Sequence, residues 1–103
     1  MIQNQTRKQY QATLPQKRMG AGALIFDDHG RILLVNPTYK PQWEIPGGIV
    51  EVHESPWHCC RRELKEELGL DLLPGRLLCV DYLNDSDINL EALMFIFDGG
   101  RLT

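Results

Sequence analysis

The sequence has only 3 cysteines in 103 residues, and two of them, Cys59 and Cys60, are adjacent. An odd count excludes a complete disulfide framework, and neighbouring cysteines rarely reach bridging geometry. The thiols therefore read as small reduced core residues, which is the usage of a cytoplasmic protein. Long hydrophobic runs are missing too. Ala92 to Phe97 is among the longest, far short of the roughly 20 apolar residues a membrane helix needs. No apolar stretch near the N-terminus has the form of a secretory signal. Aromatic residues are sparse at 8%, yet 43% hydrophobic and 24% charged residues match an ordinary globular chain. A length of 103 residues holds one domain.

Positive charge is scarce outside the start of the chain. The first 18 residues carry Arg7, Lys8, Lys17 and Arg18 and no acid, whereas the rest sets seven bases against fourteen acids. A body of that sign repels a phosphate backbone, so stable nucleic-acid binding is not expected. Six of the seven glutamates fall between positions 44 and 67. Concentrated carboxylates suit hard cations.

Residues 1–17 are polar, show no lasting period, and read as a flexible N-terminal arm ahead of a single domain over 18–103. Ala21 to Phe26 and Ile32 to Val35, on either side of Asp27-Asp28-His29-Gly30, predict a hairpin. Trp43 to Ile45 predicts a short strand that Pro46-Gly47-Gly48 would stop. The spacing of Trp57, Cys60, Leu64 and Leu68 predicts a helix over 56–68. Ser55 would cap it, Pro56 would open it and Gly69 would end it. Strands are predicted over 76–83 and 90–97, separated by Asn84-Asp85-Ser86-Asp87.

Glu63, Glu66 and Glu67 stand at i, i+3 and i+4 and so project from one side of that helix. Like charges so placed raise one another's pKa, a cost that a bound cation would offset. Oxygen donors without histidine or cysteine neighbours favour magnesium, manganese or calcium over zinc. Taken alone, however, such glutamates are usually a solvated face, and a Pro-Gly-Gly turn is an ordinary strand exit.

In combination they are far more specific. Gly48, Glu54, Arg62-Glu63-Leu64, Glu66-Glu67 and Gly69-Leu70 fill every position of the Nudix box. Chance would produce that pattern with a probability on the order of 10⁻⁷ per chain. The chain thus resembles the Nudix hydrolase (MutT-like) superfamily. Gly20 to Val35, Trp43 to Gly48 and the strand ending at Phe97-Asp98 resemble its flanking elements. His53 stands where a glycine often precedes the box glutamate, and Cys59-Cys60 where alanines are common.

The resemblance implies an α/β fold, a Nudix-like α/β/α sandwich with a mixed sheet. Family members usually continue with a further strand and a second long helix, whereas this chain stops at Thr103. The sandwich is therefore expected to be incomplete at its C-terminus, the chain being either a fragment of a longer protein or a short form completed by a partner or by a homodimer. The implied activity is magnesium-dependent cleavage of a diphosphate bond in a nucleoside diphosphate derivative, with manganese a substitute. Glu63, Glu66 and Glu67, with the Gly47 carbonyl, match the metal-binding positions. Glu63 is the best base within the box, and Arg62 with Glu54 would lock the loop onto the helix. Trp43, Tyr39 and Tyr82 are candidates for stacking on a nucleobase. The rival implication is a nucleotide-sensing domain of the same family without turnover.

Overall fold

The computed structural model describes residues 5–36, 38, 41–87 and 90–102. Its longest helix is set by local chemistry at both ends. The Ser55 side chain accepts from the His58 N–H, Pro56 fills the first turn, and Gly69 exits at φ 72° while its N–H donates to the Lys65 carbonyl. The helix is Pro56–Leu68, as predicted. A shorter helix, α1, covers Arg7–Ala12, so the longer one is α2.

Four strands, β1 (Arg18–Phe26), β2 (Gly47–Ile49), β3 (Leu77–Asp85) and β4 (Leu90–Arg101), form one sheet in the order β2-β1-β4-β3. β1 and β4 run parallel, and the other two pairings are antiparallel. The sheet is therefore mixed, as the resemblance implied. α2 lies on one face, against β1 and β2 and part of β4. There Ala21, Ala23 and Ile25 of β1 meet Cys59, Cys60 and Leu64 of α2, with Phe97 of β4 closing the cluster. The two-residue period of β1 puts those three residues on one face, and its alanines let the helix approach closely. The Trp57 indole, at the edge of this core, donates to the Pro74 carbonyl at 2.8 Å.

Burial pushes the Cys59 thiol up to about 12 and Cys60 up to about 11, so both are inert core residues at neutral pH. Cys79 differs. It is exposed on β3 and contributes nothing to the core.

The region between β1 and α2 departs from expectation. The turn after Phe26 forms, with the Asp27 side chain accepting from the His29 and Arg31 N–H groups at 2.8 and 2.9 Å. The second limb of the hairpin does not become a strand. It makes single bridges, Phe26 with Ile32 and Val35 with Glu44. Residues 43–45 likewise contribute only the bridge at Glu44. The regular strand instead runs through the glycines, pairing Gly47 with Gly22, Gly48 with Ala21 and Ile49 with Gly20. A side chain on Gly47 would overlap the Ala21 carbonyl and lie 2.7 Å from the Gly22 Cα. Two glycine-bearing strands can pack at this separation; bulkier ones cannot.

Gly47→Ala is consequently expected to destabilise the fold by about 2–3 kcal/mol, because backbone atoms would have to move. Chemical denaturation checks this, and an unchanged midpoint would contradict the close approach.

One further difference concerns the start of the fold. Arg7–Ala12 is helical where the sequence shows no period, because Thr6 and Gln9 form a reciprocal capping box that nucleates one short helix locally. None of its residues is buried. Among the described residues, helix covers only one face of the sheet, and every residue of β3 is exposed. A second helical layer is not found among them.

Candidate active site

β2 and α2 lie side by side, and the carboxylates of α2 reach the glycine strand. Glu67 turns its Oε2 onto the Gly47 N–H at 3.1 Å. Glu63 lies with its carboxyl group in the space a Gly48 side chain would fill. Gly48 is therefore a glycine because a carboxylate occupies that position, whereas Gly47 is one because of β1.

Arg62 organises the rest. Its Nε and Nη2 donate to the two Glu54 oxygens at 2.7 and 2.9 Å, a planar two-point match. Nη2 also reaches the Ile49 carbonyl at 3.1 Å, and Nη1 lies 2.8 Å from Glu63 and 3.4 Å from Glu66. One guanidinium thereby ties the 49–54 loop, the end of β2 and two turns of α2 together. The Arg62 bonds hold the Glu54 carboxyl at about 2, and Arg62 itself is pushed upward by its carboxylate partners. The loop closes on itself as the Glu51 N–H donates to Glu54 Oε1 at 3.1 Å. His53 takes φ 62° within it. That is the left-handed region glycine favours, which accounts for the glycine common at this position in similar sequences.

Glu67 is exposed as a residue, but its carboxyl is turned inward. Partial burial raises its pKa, and the nearby charges of Glu63, Glu44 and Glu66 raise it further, against the lowering effect of the Gly47 N–H. Glu44 is the member that the sequence reading missed. It is half-buried and its backbone is pinned to Val35 by bonds of 2.7 and 3.0 Å. Its only signal in the sequence is its place at the start of the glutamate-rich stretch.

The expected convergence on one ion is not what stands here. Among the described residues, no three carboxylate, imidazole or thiol groups are gathered closely enough to hold a metal ion. Glu63 and Glu66 turn to Arg62, and Glu67 turns to Gly47, which meets the cluster through its N–H. The donor set still fits a magnesium ion. It is all oxygen, it carries mutually repelling charge around Glu67, and Gly48 leaves room for a carboxylate beside the backbone. Magnesium commonly takes one or two carboxylates and completes its shell with water and phosphate.

The aromatic candidates divide. Trp43 is 60% exposed, immediately before Glu44. Tyr82 is on β3, at the far edge of the sheet from β2, with its hydroxyl donating to Glu91 at 2.7 Å. The fold does not bring Tyr82 to the glutamates, because two strands separate their elements. Tyr39 lies outside the described residues.

This pairing of a mixed sheet with a glycine strand and a glutamate-bearing helix coincides with a family match. The NUDIX domain model matches residues 16–101, and the chain belongs to the Nudix family. Among solved structures, a MutT NUDIX hydrolase from Burkholderia pseudomallei superposes with a TM-score of 0.74 at 34% identity, covering 84% of this chain and 68% of that one. Among curated proteins, the mRNA-decapping enzyme subunit 2 of Saccharomyces cerevisiae is 36% identical over 78 residues, 75% of this chain and 7% of that protein. The 8-oxo-dGTP diphosphatase of Proteus vulgaris is 36% identical over 62 residues, 56% of this chain and 55% of its own length. This chain thus spans less than a tenth of the first relative and about half of the second. No helix among the described residues is long and apolar enough to cross a membrane.

Proposed function

We propose that this chain is the catalytic domain of a magnesium-dependent pyrophosphohydrolase that cleaves a diphosphate bond in a small nucleoside diphosphate derivative. The observation that carries the reading is the placement of the Glu67 and Glu63 carboxylates against Gly47 and Gly48, with Glu66 joined to them through Arg62, which also fixes the 49–54 loop. The names of its relatives, a diphosphatase for an oxidised nucleotide among them, support the reaction class. Residues 18–103 would form the domain, preceded by the arm over 1–17, in a cytoplasmic protein.

A divalent cation bound here would supply positive charge to the phosphate oxygens and lower the pKa of a bound water. Glu67, Glu66 and Glu63 would hold it, with Gly48 letting the Glu63 carboxylate lie against the backbone. Glu63, 16% exposed in its side chain and beside Gly48, would accept a proton from an attacking water. Arg62 would act through position, since its donors are already taken by Glu54, Glu63 and the Ile49 carbonyl. Trp43, exposed beside Glu44, would stack on a base.

The decisive experiment measures product release from a panel of 8-oxo-dGTP, ordinary nucleoside triphosphates, ADP-ribose, dinucleoside polyphosphates and capped RNA. Each is run with magnesium, manganese or chelator. Release of a nucleoside monophosphate from a small substrate only when cation is present is expected. The acidic body argues for a small nucleotide over an RNA chain, and preferential cleavage of capped RNA would reverse that choice. Cation-dependent binding without turnover would make the domain a nucleotide sensor instead.

A further inference from the structure

A cavity of about 450 Å³ opens at the end of the sheet where β1 and β4 begin, and its described lining residues are Gln16, Lys17, Arg18 and Glu91. Its volume is that of a small-molecule site, roughly 300–1,000 Å³, but every one of those residues is polar. None of them belongs to the glutamate cluster of α2. Gly47 pairs with Gly22, four residues beyond Arg18, a distance of about 13 Å along a strand. Glu91 is on β4, which β1 separates from β2.

The groups in this cavity differ in what they leave unsatisfied. Arg18 faces Ala92 in the parallel register, and one step back along both chains Lys17 pairs with Glu91. Tyr82 donates to the other Glu91 oxygen at 2.7 Å. Each oxygen of that carboxylate thus already accepts a bond. Lys17 and then Tyr82 hold the Glu91 carboxyl below its ordinary range, and Glu91 in turn raises Lys17. The Lys17 ammonium has three N–H donors, of which Glu91 takes one. Among the described residues, the Arg18 guanidinium has no hydrogen bond or ion pair, and neither has the Gln16 side-chain amide. The unmet groups are therefore donors, most of them on two cations, beside an acid whose oxygens are in use. An anion with several oxygens satisfies them. A guanidinium fork matches two oxygens of a phosphate, and an ammonium adds a point charge.

We propose that this cavity is an anion site separate from the glutamate cluster, in which Arg18 and Lys17 hold the phosphate group of inorganic phosphate or of a mononucleotide. Arg18 takes two phosphate oxygens, Lys17 takes a third while keeping Glu91, and Gln16 donates from the rim. Side chains supply all the positive charge, so the site needs no divalent cation. It fills whether or not the glutamates bind metal, and it weakens as salt rises.

Inorganic phosphate, with chelator present, is the probe in a heteronuclear NMR titration of the whole chain. The amides of residues 16–18 and 91 should shift together and saturate, while those of Gly47 and Gly48 stay still. Arg18→Ala should weaken binding by about tenfold, the scale of a lost charged hydrogen bond. Arg18→Lys keeps the charge but not the fork, and should weaken it by about threefold. Arg7→Ala, an equal loss of charge on α1, and Glu67→Gln should each stay within about twofold of the wild type. Circular dichroism checks that every variant folds. Adenosine monophosphate binding more tightly than phosphate would make the ligand a mononucleotide; equal or weaker binding would make it free phosphate. A wild type without a saturable shift, movement confined to Gly47 and Gly48, or equal weakening by Arg7→Ala would each overturn the site. So would adenosine binding as tightly as its monophosphate.

Discussion

Glu67→Gln is expected to lower kcat by about a thousandfold, the scale on which a lost charged group in a phosphoryl-transfer site is felt. The same variant is expected to unfold at a slightly higher temperature than the wild type when no cation is added. The sign follows from the site. Partial burial, and after it crowding by Glu63, Glu44 and Glu66, raises the Glu67 pKa above its ordinary 4.5. The folded chain then binds that proton more tightly than the unfolded one. Ionised Glu67 costs stability at neutral pH, and the cost is relieved as pH falls through the folded value. Glutamine resembles the protonated state and removes the cost permanently. Added magnesium should reverse the order by stabilising the wild type and leaving the variant nearly unchanged. Thermal melts with and without magnesium, beside turnover measurements, check all three. Full activity in the variant would remove Glu67 from the proposed metal site.

The second large effect belongs to Arg62. Arg62→Ala leaves Glu54, Glu63 and Glu66 facing one another without their shared cation and unties the Ile49 carbonyl. Turnover should fall by about a hundredfold and the melting temperature by roughly 5 °C. Arg62→Lys should recover little of either, because an ammonium cannot match both Glu54 oxygens in one plane. The pair also predicts an acid profile. Glu54 is lowered from 4.5 to about 2, so its contribution is complete above the unfolded value and is lost as pH falls between those limits. The wild type should therefore keep its helix signal into that window, and Arg62→Ala should lose it at higher pH. Circular dichroism during acid titration decides. Coincident profiles would show that the Arg62–Glu54 pair carries no folding energy.

The sequence discloses elements whose causes are local. α2 was readable to the residue because its cap, its first proline and its closing glycine all lie within one stretch. β3 and β4 were readable because each is a β-prone run with a turn between them. β2 was not, because its cause is distant: glycines look like a strand exit until β1 is seen beside them, with Gly22 opposite Gly47. The limb over 32–35 failed for the related reason that its bonding is divided between Phe26 and Glu44. α1 was hidden because one capping box, without any hydrophobic period, supports it. At the site, Arg62 and Glu54 met as expected, since their partners are fixed by helix and loop. Glu44, held by its bridge to Val35, and the misplaced Tyr82, set by strand order, depend on pairings that spacing along the chain does not encode.

Gly47 gives the site a built-in spectroscopic probe. Its amide points at the Glu67 carboxylate, so that proton's resonance frequency should track the electrical state of the acid. Protonation, cation loading and ligand departure would each move a single peak, in a residue whose own conformation β1 holds still.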